Sequence, residues 1–150
     1  MHWMIQAELD IVNAMREALM GLEFLSNRVA FERFDPPSIK QMDCANIITM
    51  ETKQSDSGAD YRLSFLVSAH ILFKGNQQKA ISADGFCQSP FYDQIFAKRS
   101  AIMNALTSVR MSCQQINVTP LGSQIETSAD KPYALVRFSV STLILSDYQT

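Results

Sequence analysis

Between Tyr61 and Lys74 the chain alternates with a period of two. Tyr61, Leu63, Phe65, Val67, Ala69, Ile71 and Phe73 are apolar, and Arg62, Ser64, Leu66, Ser68, His70, Leu72 and Lys74 between them are mostly polar. Successive side chains of a strand point to opposite faces, so this pattern specifies one long strand with one buried face. A sheet that is wet on one side is typically antiparallel. The same alternation returns in Tyr133–Leu145, where Ala134, Val136, Phe138, Val140, Thr142 and Ile144 share a face. Leu135, Arg137, Ser139 and Ser141 occupy the other face, until Leu143 and Leu145.

The remaining elements follow from spacing and breakers. Ile5, Leu9, Val12, Met15, Leu19 and Leu22 recur every three or four residues, which predicts an amphipathic helix with Gly21 near its end. Arg28–Phe34 reads as a short strand, with Val29, Phe31 and Arg33 on one face. Asp35-Pro36-Pro37-Ser38 stops it, since proline has no N–H for a ladder, and residues 35–43 read as a loop. A strand over Ala45–Thr52 and the polar run Thr52–Asp60 predict a long hairpin tip before Tyr61. Residues 75–90 read as loop. Ser89-Pro90, with Asp93 in the first turn, signals a helix start. That helix is expected to reach about Cys113, with Phe91, Ile95, Ile102, Leu106 and Val109 on its apolar side and Lys98, Arg99 and Arg110 on its wet side. A short strand interrupted by Pro120 and Gly122 is expected within 116–127. The order α-β-β-β-α-(β)-β predicts an α+β fold, a mostly antiparallel sheet with an N-terminal helix and a second helix before the closing strand.

The 150 residues suit one domain spanning 1–150, and 47% of them are hydrophobic, enough for a core without a metal or disulfide staple. The formal net charge is −2 and the 13 Lys and Arg are dispersed, so neither a clustered nucleic-acid face nor a polybasic membrane segment is expected. Cys44, Cys87 and Cys113 are odd in number and widely spaced, which reads as small apolar side chains in a reduced compartment. Neither a transmembrane run nor a signal-peptide pattern is visible.

A nucleophile with its base would have to come from the three cysteines and His70 or His2, and no motif joins them. Metal-ligand spacings such as Cys-x-x-Cys are missing, and Asp56, Gly58 and Asp60 lack the later Glu of a calcium loop. With five glycines there is no phosphate-cradling motif. The expectation is a protein that works by binding and assembly, with no catalytic, cofactor or metal residues.

Four features together resemble the tail-terminator (tail completion) proteins of long-tailed bacteriophages. These are the helix over 4–20, the Asp35-Pro36-Pro37-Ser38 segment before the hairpin, the alternating strand Tyr61–Phe73 after a polar loop, and the helix Pro90–Cys113 leading to a closing strand with Ala134-Leu135-Val136-Arg137-Phe138-Ser139-Val140-Ser141. The likeness is one of pattern along nearly the whole chain, and residues 114–132 are longer than it implies. It implies a homo-oligomeric ring with heterologous contacts between copies. One face of the ring would cap the tail-tube protein and the other would meet the head or neck connector, with DNA only passing through the lumen. The location implied is the neck end of the virion tail, after synthesis in the bacterial cytoplasm. The polar tip, with Lys53, Gln54, Ser55, Asp56 and Asp60, is the expected tube-docking loop. Two other readings are a head-closure or other neck protein, and an oligomeric chaperone or adaptor of the SecB type.

Overall fold

The computed structural model describes residues 1–33, 35–54, 60–72, 90–109, 116–127, 131 and 133–144. Helix α1 spans Trp3–Met20, followed by strands β1 (Val29–Phe31), β2 (Cys44–Gln54) and β3 (Tyr61–Leu72), helix α2 (Pro90–Thr107), and strands β4 (Ile116–Thr127) and β5 (Tyr133–Ile144). The five strands form one sheet in the order β1-β2-β3-β5-β4. β1 runs parallel to β2 and every other pair is antiparallel, so the fold is α+β as expected.

The two long alternating segments sit side by side at the centre. Phe65 pairs with Val140, Val67 with Phe138 and Ala69 with Val136. On the flanks Ile47 opposes Val67 and Ile125 opposes Val136. Leu63, Phe65, Val67, Ala69 and Ile71 of β3 and Ala134, Val136, Phe138 and Val140 of β5 are all buried, and both helices pack on this face. Phe65 and Phe138 are its largest buried side chains. Burying such a side chain contributes roughly 1.5–3 kcal/mol relative to leaving it in water. The second face carries no helix among the described residues.

α1 matches its expected span, but its buried arc differs from the expected stripe. Ala7, Ile11, Val12, Met15 and Leu19 are buried, whereas Ile5 and Leu9 are 52% and 39% exposed. At about 100° per residue, Leu9 points nearly opposite to Ala7 and Ile11, two positions to either side. The small Ala7 is fully buried in the core whereas Ile5 and Leu9 are not, and Glu8 accepts a hydrogen bond from the Thr49 hydroxyl of β2. His2 caps the helix, its Nδ1 accepting from the Met4 N–H at 3.2 Å.

Three other elements depart from expectation. β1 is only three residues long because Glu32 takes a left-handed backbone, φ 54°, and turns its carboxylate onto the Thr49 N–H. The 35–43 segment contains a single 3-10 turn, Ile39–Gln41, whose capping box joins Ser38 and Gln41. α2 ends at Thr107 instead of about Cys113: the Thr107 and Ser108 hydroxyls donate to the Met103 and Ala105 carbonyls, and Val109 N–H bonds back only three residues, to Leu106. Its expected wet side is also corrected. Lys98 is drawn inward to the buried Asp43 carboxylate at 2.7 Å, with its Nζ 5.5 Å from the Phe24 ring centroid. Arg99 is half-buried and donates to the Ser123 hydroxyl and carbonyl at 2.7 and 3.0 Å. β4 runs the full 116–127 span, with an irregularity between Pro120 and Gly122 that lets the proline sit in an edge strand. Of the expected loop at 75–90, Pro90 instead opens α2 and residues 75–89 lie outside the described residues, as do Cys87, Cys113 and the strand ends at Phe73, Lys74 and Leu145.

Candidate functional site

Two surfaces concentrate polar groups, one at each end of the β2–β3 pair. The first is the hairpin end. Lys53 and Gln54 finish β2 and Asp60 leads into β3, while Ser55 and Asp56 lie outside the described residues. Lys53 stands directly across from Arg62, and Gln54 across from Tyr61. Two like charges in facing positions repel, so this pair favours an acid beside it. Glu51 and Asp60 supply that: with Lys53, Gln54, Tyr61, Arg62 and Leu143 they line a hollow of about 540 Å³. The base of the hairpin is anchored, because Tyr61 meets the Trp3 ring edge-on at 5.1 Å between centroids. The structure therefore brings Lys53, Gln54 and Asp60 together with Glu51 and Arg62, two residues the sequence did not single out.

The second surface is a cleft of about 390 Å³ on the open face of the sheet. Its floor is the cross-strand set Cys44, Asn46, Ile48, Ser68 and Leu135, and the Asp35-Pro36-Pro37 segment walls one side. Asn46 holds that wall by mimicking a strand: its side chain accepts from the Arg33 N–H at 3.1 Å and donates to the Arg33 carbonyl at 2.7 Å. Gln41 Oε1 accepts from both Arg33 Nη2 and the Ser38 N–H, at 3.0 and 2.9 Å. Arg28 is steadied by the Asp43 carbonyl at 2.8 Å, and Arg137 is paired with Glu126. Arg28, Arg33 and Arg137 thus converge on one cleft from β1's two ends and from β5. Sequence reading missed it. The prolines register there only as breakers, and Arg137 lies more than a hundred positions from Arg33, so only the strand register unites them.

His70 and Cys44 also meet in this cleft, directly opposed across β2 and β3. A thiol beside an imidazole is the arrangement of a cysteine nucleophile, which needs a thiolate and an imidazolium. Both groups are shifted the other way. Burial pushes the Cys44 thiol above 9.0, against a smaller pull from Arg33 and Arg28. Burial, followed by Arg137 and Lys131, holds the His70 imidazole below 6.5. The pair is neutral near pH 7, and the cleft offers hydrogen-bonding and cationic groups in place of an activated sulfur.

No protein-family model matches the chain, and no curated protein matches it significantly. Among the described residues no helix is long and apolar enough to cross a membrane.

Proposed function

We propose that the protein acts by assembly, as a phage tail terminator whose copies form a ring on the tail tube and join it to the neck. The observation that carries this reading is the polar, mixed-charge end of the β2–β3 hairpin, beyond the short edge strand. β2 has eleven residues against three in β1, so its far half, from Ile48 to Gln54, extends beyond the edge strand. It ends in the mixed-charge hollow of Lys53, Asp60, Glu51 and Arg62. A hairpin end held in the sheet, with polar and complementary charged groups, suits docking onto a preformed partner surface. Alongside it, Ile5, Leu9 and Met50 remain exposed, and such flanking apolar side chains suit contact between neighbouring copies. In this reading the partners are further copies of the chain, a tail-tube protein and a neck connector, no catalytic step is involved, and DNA only traverses the ring.

The test is solution mass by light scattering over a concentration series, with negative-stain imaging alone and after adding purified tail tubes. Rings, or caps on tube ends, are expected, and Lys53→Glu should reduce capping while leaving the thermal midpoint unchanged. A chain that stays monomeric with tubes present and caps none of them refutes the proposal. Rings that bind isolated head connectors and ignore tubes move the assignment to head closure.

A further inference from the structure

We propose that the cleft over β1 and β2 binds an acidic, extended segment of a partner polypeptide, with Arg28, Arg33 and Arg137 receiving its carboxylates. The chain carries a net charge of −2, yet the cleft gathers three guanidinium groups against one lining carboxylate, Asp35. Positive charge focused in a concavity with low-dielectric walls attracts anions there, even on a protein of acidic net charge. Two groups inside the cleft register that field: Arg137 and Lys131 add to the burial that lowers His70, and Arg33 and Arg28 pull against the burial that raises Cys44.

The arginine donors are only partly used. Arg33 gives Nη2 to the neutral Gln41 amide, and Arg28 gives Nε to a main-chain carbonyl. Neither is ion-paired with a carboxylate among the described residues. A guanidinium has five N–H donors in a planar fork, so each retains an edge suited to a bidentate carboxylate. Arg137 is paired with Glu126, whose side chain is 64% exposed and can be displaced by an incoming acid.

The apolar floor decides between classes of anion. Ile48 and Leu135 below the guanidinium groups, with Pro36 and Pro37 at the side, offer aliphatic contact that a phosphodiester backbone cannot use. Nucleic acid also needs a track of several cations, and here Asp35 interrupts the rim. A segment that alternates acidic and aliphatic side chains satisfies both rim and floor. Along β2 the cleft reaches Ile48 and the hairpin hollow begins at Glu51, about 10 Å on at the strand rise, and the two share no lining residue. The proposal therefore stands whether or not the hairpin docks on a tube.

The experiment titrates the full chain into a fluorescein-labelled decapeptide of alternating Glu and Leu, and into its Lys–Leu counterpart, following anisotropy at low and high salt. Saturable, salt-sensitive binding of the acidic peptide alone is expected. Arg33→Glu should weaken it by about tenfold to a hundredfold, the equivalent of one charge-assisted hydrogen bond. Arg137→Gln should weaken it less, and Lys53→Glu at the far end should leave it unchanged. Arg33 is exposed, so these variants are scored only with an unchanged thermal midpoint, and Arg33→Gln serves if the charge reversal fails that check. Binding of neither peptide, equal binding of both, indifference to Arg33→Glu and Arg33→Gln, or tighter binding of an oligothymidylate overturns the proposal.

Discussion

Replacing Asp43 by alanine should cost this protein more stability than any change on its open sheet face. The Asp43 side chain is 8% exposed and both its oxygens are engaged: Oδ2 accepts from Lys98 Nζ and Oδ1 from the Leu72 N–H, each at 2.7 Å. Asp43→Ala strands a largely buried ammonium and a main-chain N–H together. Removing one partner of a buried pair typically costs about 3–5 kcal/mol. Lys98 retains 19% exposure and can turn partly to water, so the lower end of that range, about 3 kcal/mol, is expected. For a chain of this size that lowers the thermal midpoint by roughly 6–12 °C. Lys98→Met keeps the stem packed near Phe24 and leaves the carboxylate one donor, so it should cost about 2 kcal/mol. The double variant should be less destabilised than the sum, with a coupling of at least about 1 kcal/mol. Urea denaturation of the four proteins gives the cycle. Single costs under about 0.5 kcal/mol, as for an exposed pair, or strict additivity, would refute the reasoning.

Thr142 is fully buried in β5 and its hydroxyl has no hydrogen-bond partner among the described residues, so Thr142→Val removes an unsatisfied group at equal volume. Urea denaturation should show a gain of about 1 kcal/mol, and a loss would mean that the hydroxyl is satisfied. His70 titrates lower in the fold than its ordinary 6.5, so protonation favours the unfolded chain. Its contribution is full above 6.5 and declines as pH falls from there through the folded value. The thermal midpoint should therefore fall more steeply on mild acidification in the wild type than in His70→Gln, and parallel profiles would contradict this.

The central sheet was legible because β3 and β5 bury one face only. Burial on one side forces a strict period of two, and Phe65, Val67, Phe138 and Val140 all lie where that period puts them. Helical faces were less legible. The period of α1 is right, yet the buried arc includes Ala7 and excludes Leu9, because a buried position can take a small side chain that hydropathy ranks below leucine. Lys98 and Arg99 were misplaced for a related reason. Charge marks a wet position only when no partner waits inside, and their partners, Asp43 and Ser123, lie far away in sequence. The hairpin was visible as a polar run between strands. The arginine cleft was not, since its members come from the ends of β1 and from β5 and converge only through strand register.

The two candidate surfaces are joined by the same strands but held by separate interactions. At the hairpin end, Trp3 fixes Tyr61 and so ties the hairpin base to the start of α1. At the cleft end, Asp43 uses its carboxylate for Lys98 and Leu72 and its carbonyl for Arg28. One residue thereby sets both the local stability and the orientation of a cleft arginine, while the hairpin base depends on neither contact. The sheet between them is pinned by the Phe65 and Phe138 layer, which leaves little freedom for one end to follow the other. The two proposed contacts are therefore anchored separately, so loss of one should leave the other intact.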